Sequence, residues 1–151
     1  MGDSGVKDAV AAIIRQGDRF LFVKRSEFCA GAIGYWCPVS GRVEPGESQR
    51  EALAREVMEE VGLHVVATGK VGELPILDGR YLLHYWTTEI VSGEARIASP
   101  EVAALTWATV DELRQLTPTF EDDLRMIEEA ARSGWALQPH PSRPAGAGTS
   151  G

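Results

Sequence analysis

The sequence predicts an α/β fold in which a mixed β-sheet is sandwiched between helices. Two observations lead there. Stretches rich in β-branched and aromatic residues alternate unevenly with stretches of helical period. Turn pairs, Gly17-Asp18 and Asp78-Gly79, put hairpins on both sides of one long helical segment. A chain of 151 residues is long enough to bury one substantial core.

Composition narrows the function. Hydrophobic content of 44% and charged content of 25% are ordinary for a soluble globular protein. A net charge of -7 and the absence of a basic stripe argue against a nucleic-acid polymer as partner. No apolar run approaches the roughly 18 residues of a membrane span, and residues 1–10 lack the apolar segment of a secretion signal. Cys29 and Cys37 form neither a zinc pattern nor a disulfide framework. The expectation is a cytoplasmic protein, monomer or homodimer. Its domain spans residues 1–137, followed by a disordered Pro/Gly-rich tail over 138–151.

Taken in order, residues 9–14 (AVAAII) and 19–23 (RFLFV) read as the two strands of a hairpin turning at Gln16-Gly17-Asp18. Residues 26–35 read as a loop, and residues 36–40 (WCPVS) as one short strand. Residues 41–46 hold Gly, Pro and Gly and read as a loop. Ser48 followed by Glu51 makes a capping box, so a helix starts at Gln49 and ends at the C′ glycine Gly62. At 100° per residue, Leu53, Ala54, Val57, Met58 and Val61 form its apolar arc. Glu56, Glu59 and Glu60 fall opposite, with Ala52 among them.

Residues 64–77 and 80–91 read as strands joined at Asp78-Gly79, with residues 81–86 covered on both faces and His84 a satisfied strand histidine. Residues 101–109 read as another strand, followed by a helical turn from Asp111. Thr119 is the expected cap of a last helix over 120–132, whose stripe is Leu124, Ile127, Ala130 and Ala131, ended by Gly134.

Glu56, Glu59 and Glu60 at i, i+3 and i+4 share one helix face. Like charges at that spacing cost a few tenths of a kcal/mol per pair, roughly. A hard divalent cation such as Mg²⁺, which takes oxygen ligands, would offset the repulsion and suits phosphate chemistry. The surrounding stretch resembles the signature of the Nudix hydrolases, G-x(5)-E-x(7)-R-E-U-x-E-E-x-G-U, with U a bulky aliphatic residue. Gly41, Glu47, Arg55, Glu56, Val57, Glu59, Glu60, Gly62 and Leu63 fill every fixed position. One departure precedes the box. The usual lead-in is W-x-x-P-G-G, whereas Val39 and Ser40 replace its proline and first glycine, and Pro38 sits one position early.

The resemblance implies an α/β/α sandwich with the box as a loop–helix–loop. It implies Mg²⁺, with Mn²⁺ able to substitute, held by Glu56, Glu59, Glu60 and the carbonyl of Gly41. Arg55 and Glu47 would orient those ligands. The general base would be Glu60 or a glutamate outside the box, for which Glu101 is the candidate, ahead of Glu89 and Glu94. The implied substrate is a small nucleotide, a nucleoside diphosphate linked to another group X. Nucleoside triphosphates, ADP-ribose or nucleotide sugars, and dinucleoside polyphosphates all fit. Arg25, Phe28 and Tyr81 are the substrate-binding candidates, by charge and by stacking. A nucleotide-sensing module that lost its chemistry is the alternative from another class, but every box glutamate is present.

Overall fold

The structure, a computed structural model, describes residues 5–133. The sequence expectations for Gly134 and for residues 138–151 lie outside them.

The elements run β1 (Lys7–Ile13), β2 (Arg15–Gln16), β3 (Arg19–Arg25), β4 (Trp36–Cys37), β5 (Val39–Arg42), α1 (Gln49–Val61), β6 (His64–Ile76), β7 (Tyr81–Ser92), β8 (Val102–Ala108), α2 (Val110–Leu113) and α3 (Glu121–Arg132). Two sheets form. One has the order β5-β1-β7-β6 and is mixed, because β1 and β7 run parallel while the other pairs are antiparallel. In the second, β3 pairs with β2, β4 and β8.

Strand β1 explains the layering. Residues 9–14 are each 5% exposed or less, so both faces of the strand are covered. Val10, Ala12 and Ile14 face α1 through Leu53, Val57 and Val61, joined by Leu21 and Val23 of β3. Ala9, Ala11 and Ile13 meet α3 through Leu124, Ile127 and Ala130, joined by Phe20 and Phe22. Alternate residues of one strand thus feed two cores, the period-2 behaviour of a central strand. The expected α/β/α sandwich is present. No helix among the described residues is long and apolar enough to cross a membrane.

Several local expectations are corrected. Residues 9–14 and 19–23 pair as a hairpin only at their turn ends. Both edges of β1 are taken by β5 and β7, while the Leu21 N–H donates to the Ile14 carbonyl at 2.9 Å and Arg15-Gln16 folds back on β3 across the Gly17-Asp18 turn. Residues 36–40 are two strands in two sheets, with Pro38 at the crossing. A proline leaves no N–H unpaired at such a switch. The unusual Val39-Ser40 keeps the ladder regular, pairing with Ala12 and Ala11, and Val39 is 1% exposed. Gly41 and Arg42 belong to that strand, so the loop before α1 starts only at Val43.

Helix α1 begins and ends as its caps dictate. Ser48 accepts from the Glu51 N–H, Glu51 accepts from the Ser48 N–H, and Gly62 is left-handed at φ 73°. Its apolar arc is shifted from the expected one: Ala52 is fully buried, while Met58 is 46% exposed. Helix α3 is entered at Phe120 without a side-chain cap, so Thr119 does not serve as one. Thr119 instead bridges to Trp36.

Candidate active site

The shifted arc of α1 decides the site. Ala52, Glu56 and Glu60 stand at i, i+4 and i+8, a single row beside the buried row Leu53–Val57–Val61. The carboxylate face and the core face are therefore neighbours rather than opposites. Glu56 is 15% exposed in its side chain, against 58% for Glu59 at the outer edge.

Glu60 and Glu56, one turn apart on α1, are close enough for their carboxyls to act on each other. Burial first, then the Glu56 carboxyl and the charge of Glu101, holds the Glu60 carboxyl well above the usual carboxylate range, while Arg25 pulls it down. Two adjacent carboxylates cannot both ionise unless a cation balances them.

Gly41 on β5 forms the opposite wall. A Cβ there would fall 2.1 Å from Cδ and 2.3 Å from Oε2 of Glu56, so only a glycine lets the Glu56 carboxylate lie against the strand. Two partly buried carboxyls and a strand backbone form an all-oxygen donor set. That chemistry fits a hard divalent cation. Glu56, Glu60 and the Gly41 carbonyl would hold it. Glu59, on the outer edge, shares Arg55 Nη1 with Glu56, its Oε1 lying 3.3 Å away, and would be an outer ligand. Among the described residues no three acidic, histidine or cysteine groups meet at one point.

Arg55 braces the set. Its Nε and Nη2 donate to the two oxygens of Glu47 at 2.6 and 3.0 Å, its Nη1 to Glu56 Oε2 at 3.0 Å, and its Nη2 also to the Arg42 carbonyl at 3.0 Å. Glu47 accepts from the Glu44 N–H as well, at 2.9 Å. Arg55, helped by that N–H, holds the Glu47 carboxyl down at about 2. One guanidinium thus ties the loop, the strand and the helix of the site together.

The family model for the NUDIX domain matches residues 5–130. The chain belongs to the Nudix family. It is 34% identical over 127 residues to the CTP pyrophosphohydrolase of Escherichia coli, covering 80% of this chain and 88% of that one. It is 30% identical over 101 residues to a Bacillus subtilis protein whose name carries 8-oxo-dGTP diphosphatase as a provisional assignment. That match covers 67% of this chain and spans only 64% of the relative's length. The solution structure of the Escherichia coli ORF135 protein superposes with a TM-score of 0.70 at 31% identity, covering 92% of this Nudix chain and 97% of that one.

The remaining candidates sit around the site at different distances. Glu101, just before β8, is near enough for its charge to act on Glu60. Arg25 ends β3, donates from Nε to the Gly31 carbonyl at 2.9 Å, and lies close enough to Cys37 for its charge to act on the thiol. Burial pushes that thiol up to about 12, so Cys37 is an inert core residue. Phe28 is 66% exposed on the loop over residues 26–35. Tyr81 reaches the site only through Arg42, whose Nη1 donates to its hydroxyl at 3.4 Å. His84 is buried between Asp8 and Glu73, with Nε2 2.8 Å from Asp8 Oδ1, but it is not fully satisfied as expected, because its Nδ1, 3.3 Å from Glu73 Oε1, makes no hydrogen bond.

Two features escape a reading of the sequence. Ser26 lies beside Arg25 and bonds to the backbone at Pro100 and Glu101. No local pattern marks it. Asp123 is 5% exposed and accepts from the Tyr85 hydroxyl at 2.5 Å. Its position four before Ile127 and seven before Ala130 was a usable signal of an acid on a buried stripe.

Proposed function

We propose that this Nudix chain is a Mg²⁺-dependent pyrophosphohydrolase of small nucleotides, with nucleoside triphosphates as its first substrate class and Mn²⁺ able to replace Mg²⁺. The carrying observation is the Glu56–Glu60 carboxyl pair set against Gly41 and braced by Arg55. Bound at that pair, the cation would supply Lewis acidity toward phosphate oxygens and a water of lowered pKa.

The chain's own residues do the rest. Glu60, half-buried beside Glu56 and ionised once a cation balances the pair, is the group best placed to take the proton of the attacking water. Water adds across one P–O–P linkage, so one P–O bond forms, one breaks, and both products end in phosphate. Arg55 and Glu47 keep Glu56 in place. Arg25, a cation beside Glu60, is the candidate for the leaving phosphate's charge. Phe28 offers an exposed ring for a base, and Tyr81 marks an outer contact. The triphosphate class is favoured because the E. coli relative matched over most of its length is named a CTP pyrophosphohydrolase.

One panel tests the reading. Nucleoside triphosphates including oxidised ones, ADP-ribose, dinucleoside polyphosphates and nucleotide sugars are assayed with Mg²⁺, with Mn²⁺ and with chelator. Fastest turnover of a triphosphate, abolished by chelator, is expected. A preference for ADP-ribose or a dinucleoside polyphosphate moves the substrate class, and binding without any turnover replaces the enzyme by a sensing module.

A further inference from the structure

Residues 93–101, between β7 and β8, have little regular structure, yet they are anchored on both sides. On one side they cap α1: the Arg96 N–H donates to the Val61 carbonyl at 2.9 Å and the Ala98 N–H to the Glu60 carbonyl at 3.0 Å. On the other side they meet the start of the loop over residues 26–35. The Ser26 hydroxyl donates to the Pro100 carbonyl at 2.6 Å and accepts from the Phe28 N–H at 3.1 Å. The Ser26 N–H donates to the Glu101 carbonyl at 3.0 Å, and Cys29 Sγ lies 3.3 Å from the same oxygen. Ser26 is 9% exposed, so its bonds are shielded from competing water. The Glu101 N–H is taken by Ser99 Oγ at 3.1 Å.

The backbone at Glu101 is thus fixed through its N–H, its carbonyl and the preceding carbonyl, while its side chain stays exposed. We propose that Ser26 is a positioning residue that fixes the backbone of Glu101, the candidate carboxylate outside the box, against the end of α1 that carries Glu60. This rests on the proposed hydrolysis with Glu101 taking part in it, and what it adds is Ser26, for which sequence spacing gives no hint. An alanine at position 26 would keep the N–H bond to Glu101 and lose the hydroxyl bridge between Pro100 and Phe28. A threonine would keep both.

Ser26→Ala, Ser26→Thr, Glu101→Gln and the Ser26→Ala/Glu101→Gln double variant of the full chain separate positioning from bulk stability. The first readout is amide hydrogen exchange at Glu101 and Val102 in metal-free protein. Ser26→Ala should speed it at least tenfold, and Ser26→Thr should leave it unchanged. The second is CTP hydrolysis with Mg²⁺. Ser26→Ala should lower kcat by about tenfold, the low end for a residue orienting a site group, with KM within twofold and with Ser26→Thr restoring it. In the Glu101→Gln background Ser26→Ala should cost nothing further, because two residues acting as a unit are not additive. Equal losses in both backgrounds, or unchanged exchange in Ser26→Ala, would overturn the proposal. If wild-type protein leaves CTP and the rest of the panel intact, the reading of the reaction fails, and the exchange arm alone decides whether Ser26 holds Glu101.

Discussion

Arg55 grips both oxygens of Glu47, Nε to Oε2 at 2.6 Å and Nη2 to Oε1 at 3.0 Å, and its remaining nitrogen reaches Glu56 at 3.0 Å. The fork geometry is what a guanidinium offers and an ammonium does not. Arg55→Lys should therefore keep the fold, since partly exposed pairs contribute under about 1 kcal/mol. It should lower kcat by roughly 10- to 100-fold, the range for residues that orient metal ligands. Steady-state kinetics with Mg²⁺, alongside a thermal melt, check both halves.

Gly41→Ala isolates the strand side of the site. The added Cβ would overlap Glu56 Cδ, placed 2.1 Å away. Glu56 is a flexible side chain and can swing out, so the melting temperature should change by no more than a few degrees. The carboxylate would then leave its place beside Glu60. Mn²⁺ binding, followed by electron paramagnetic resonance titration, should weaken about 10- to 100-fold. Wild-type affinity in this variant would place the cation elsewhere.

Much of this was legible in the sequence because it depends on local chemistry. Ser48, Glu51 and Gly62 bound α1 by capping alone, and nine fixed positions from Gly41 to Leu63 mark the site. What stayed hidden depends on partners distant in the chain. Which edge of β1 is occupied is settled by β5 and β7, so residues 9–14 passed for half of a hairpin. Met58 and Ala52 exchanged roles because the side of α1 that packs is chosen by the sheet beneath it. Ser26 acts across 74 residues, on Pro100. No periodicity reports such a contact.

Gly62→Ala should cost stability. The residue sits at φ 73°, and a Cβ would fall 2.9 Å from Nε of Arg96. A non-glycine residue in the left-handed region costs about 1–2 kcal/mol, and Arg96 must also shift. Denaturant unfolding should show a lower midpoint with an unchanged slope.

Asp123 should give stability an unusual pH dependence. Burial lifts its carboxyl from 3.8 to about 6, against the lowering effect of the Tyr85 hydroxyl. Between those values the folded state binds the proton more tightly than the unfolded state. The associated stability is fully present below pH 3.8 and is lost as pH rises through about 6. The loss is on the order of 2–3 kcal/mol. Urea unfolding from pH 4 to pH 7 should show this decline, and Asp123→Asn should make it shallower, leaving the part that the raised Glu60 carboxyl contributes. A slope in Asp123→Asn as steep as in wild type would assign the whole effect to Glu60 and other carboxyls.

If the Glu56–Glu60 pair is the chemical centre of a metal-dependent pyrophosphohydrolase, the initial rate of nucleoside triphosphate hydrolysis with Mg²⁺ should separate wild type from Glu60→Gln, with circular dichroism to show that both are folded. Wild-type turnover should be abolished by chelator. A folded Glu60→Gln protein should be slowed at least about 100-fold, the lower bound for loss of a general base. Turnover retained in Glu60→Gln, or wild-type turnover that survives chelator, would contradict that role for the pair.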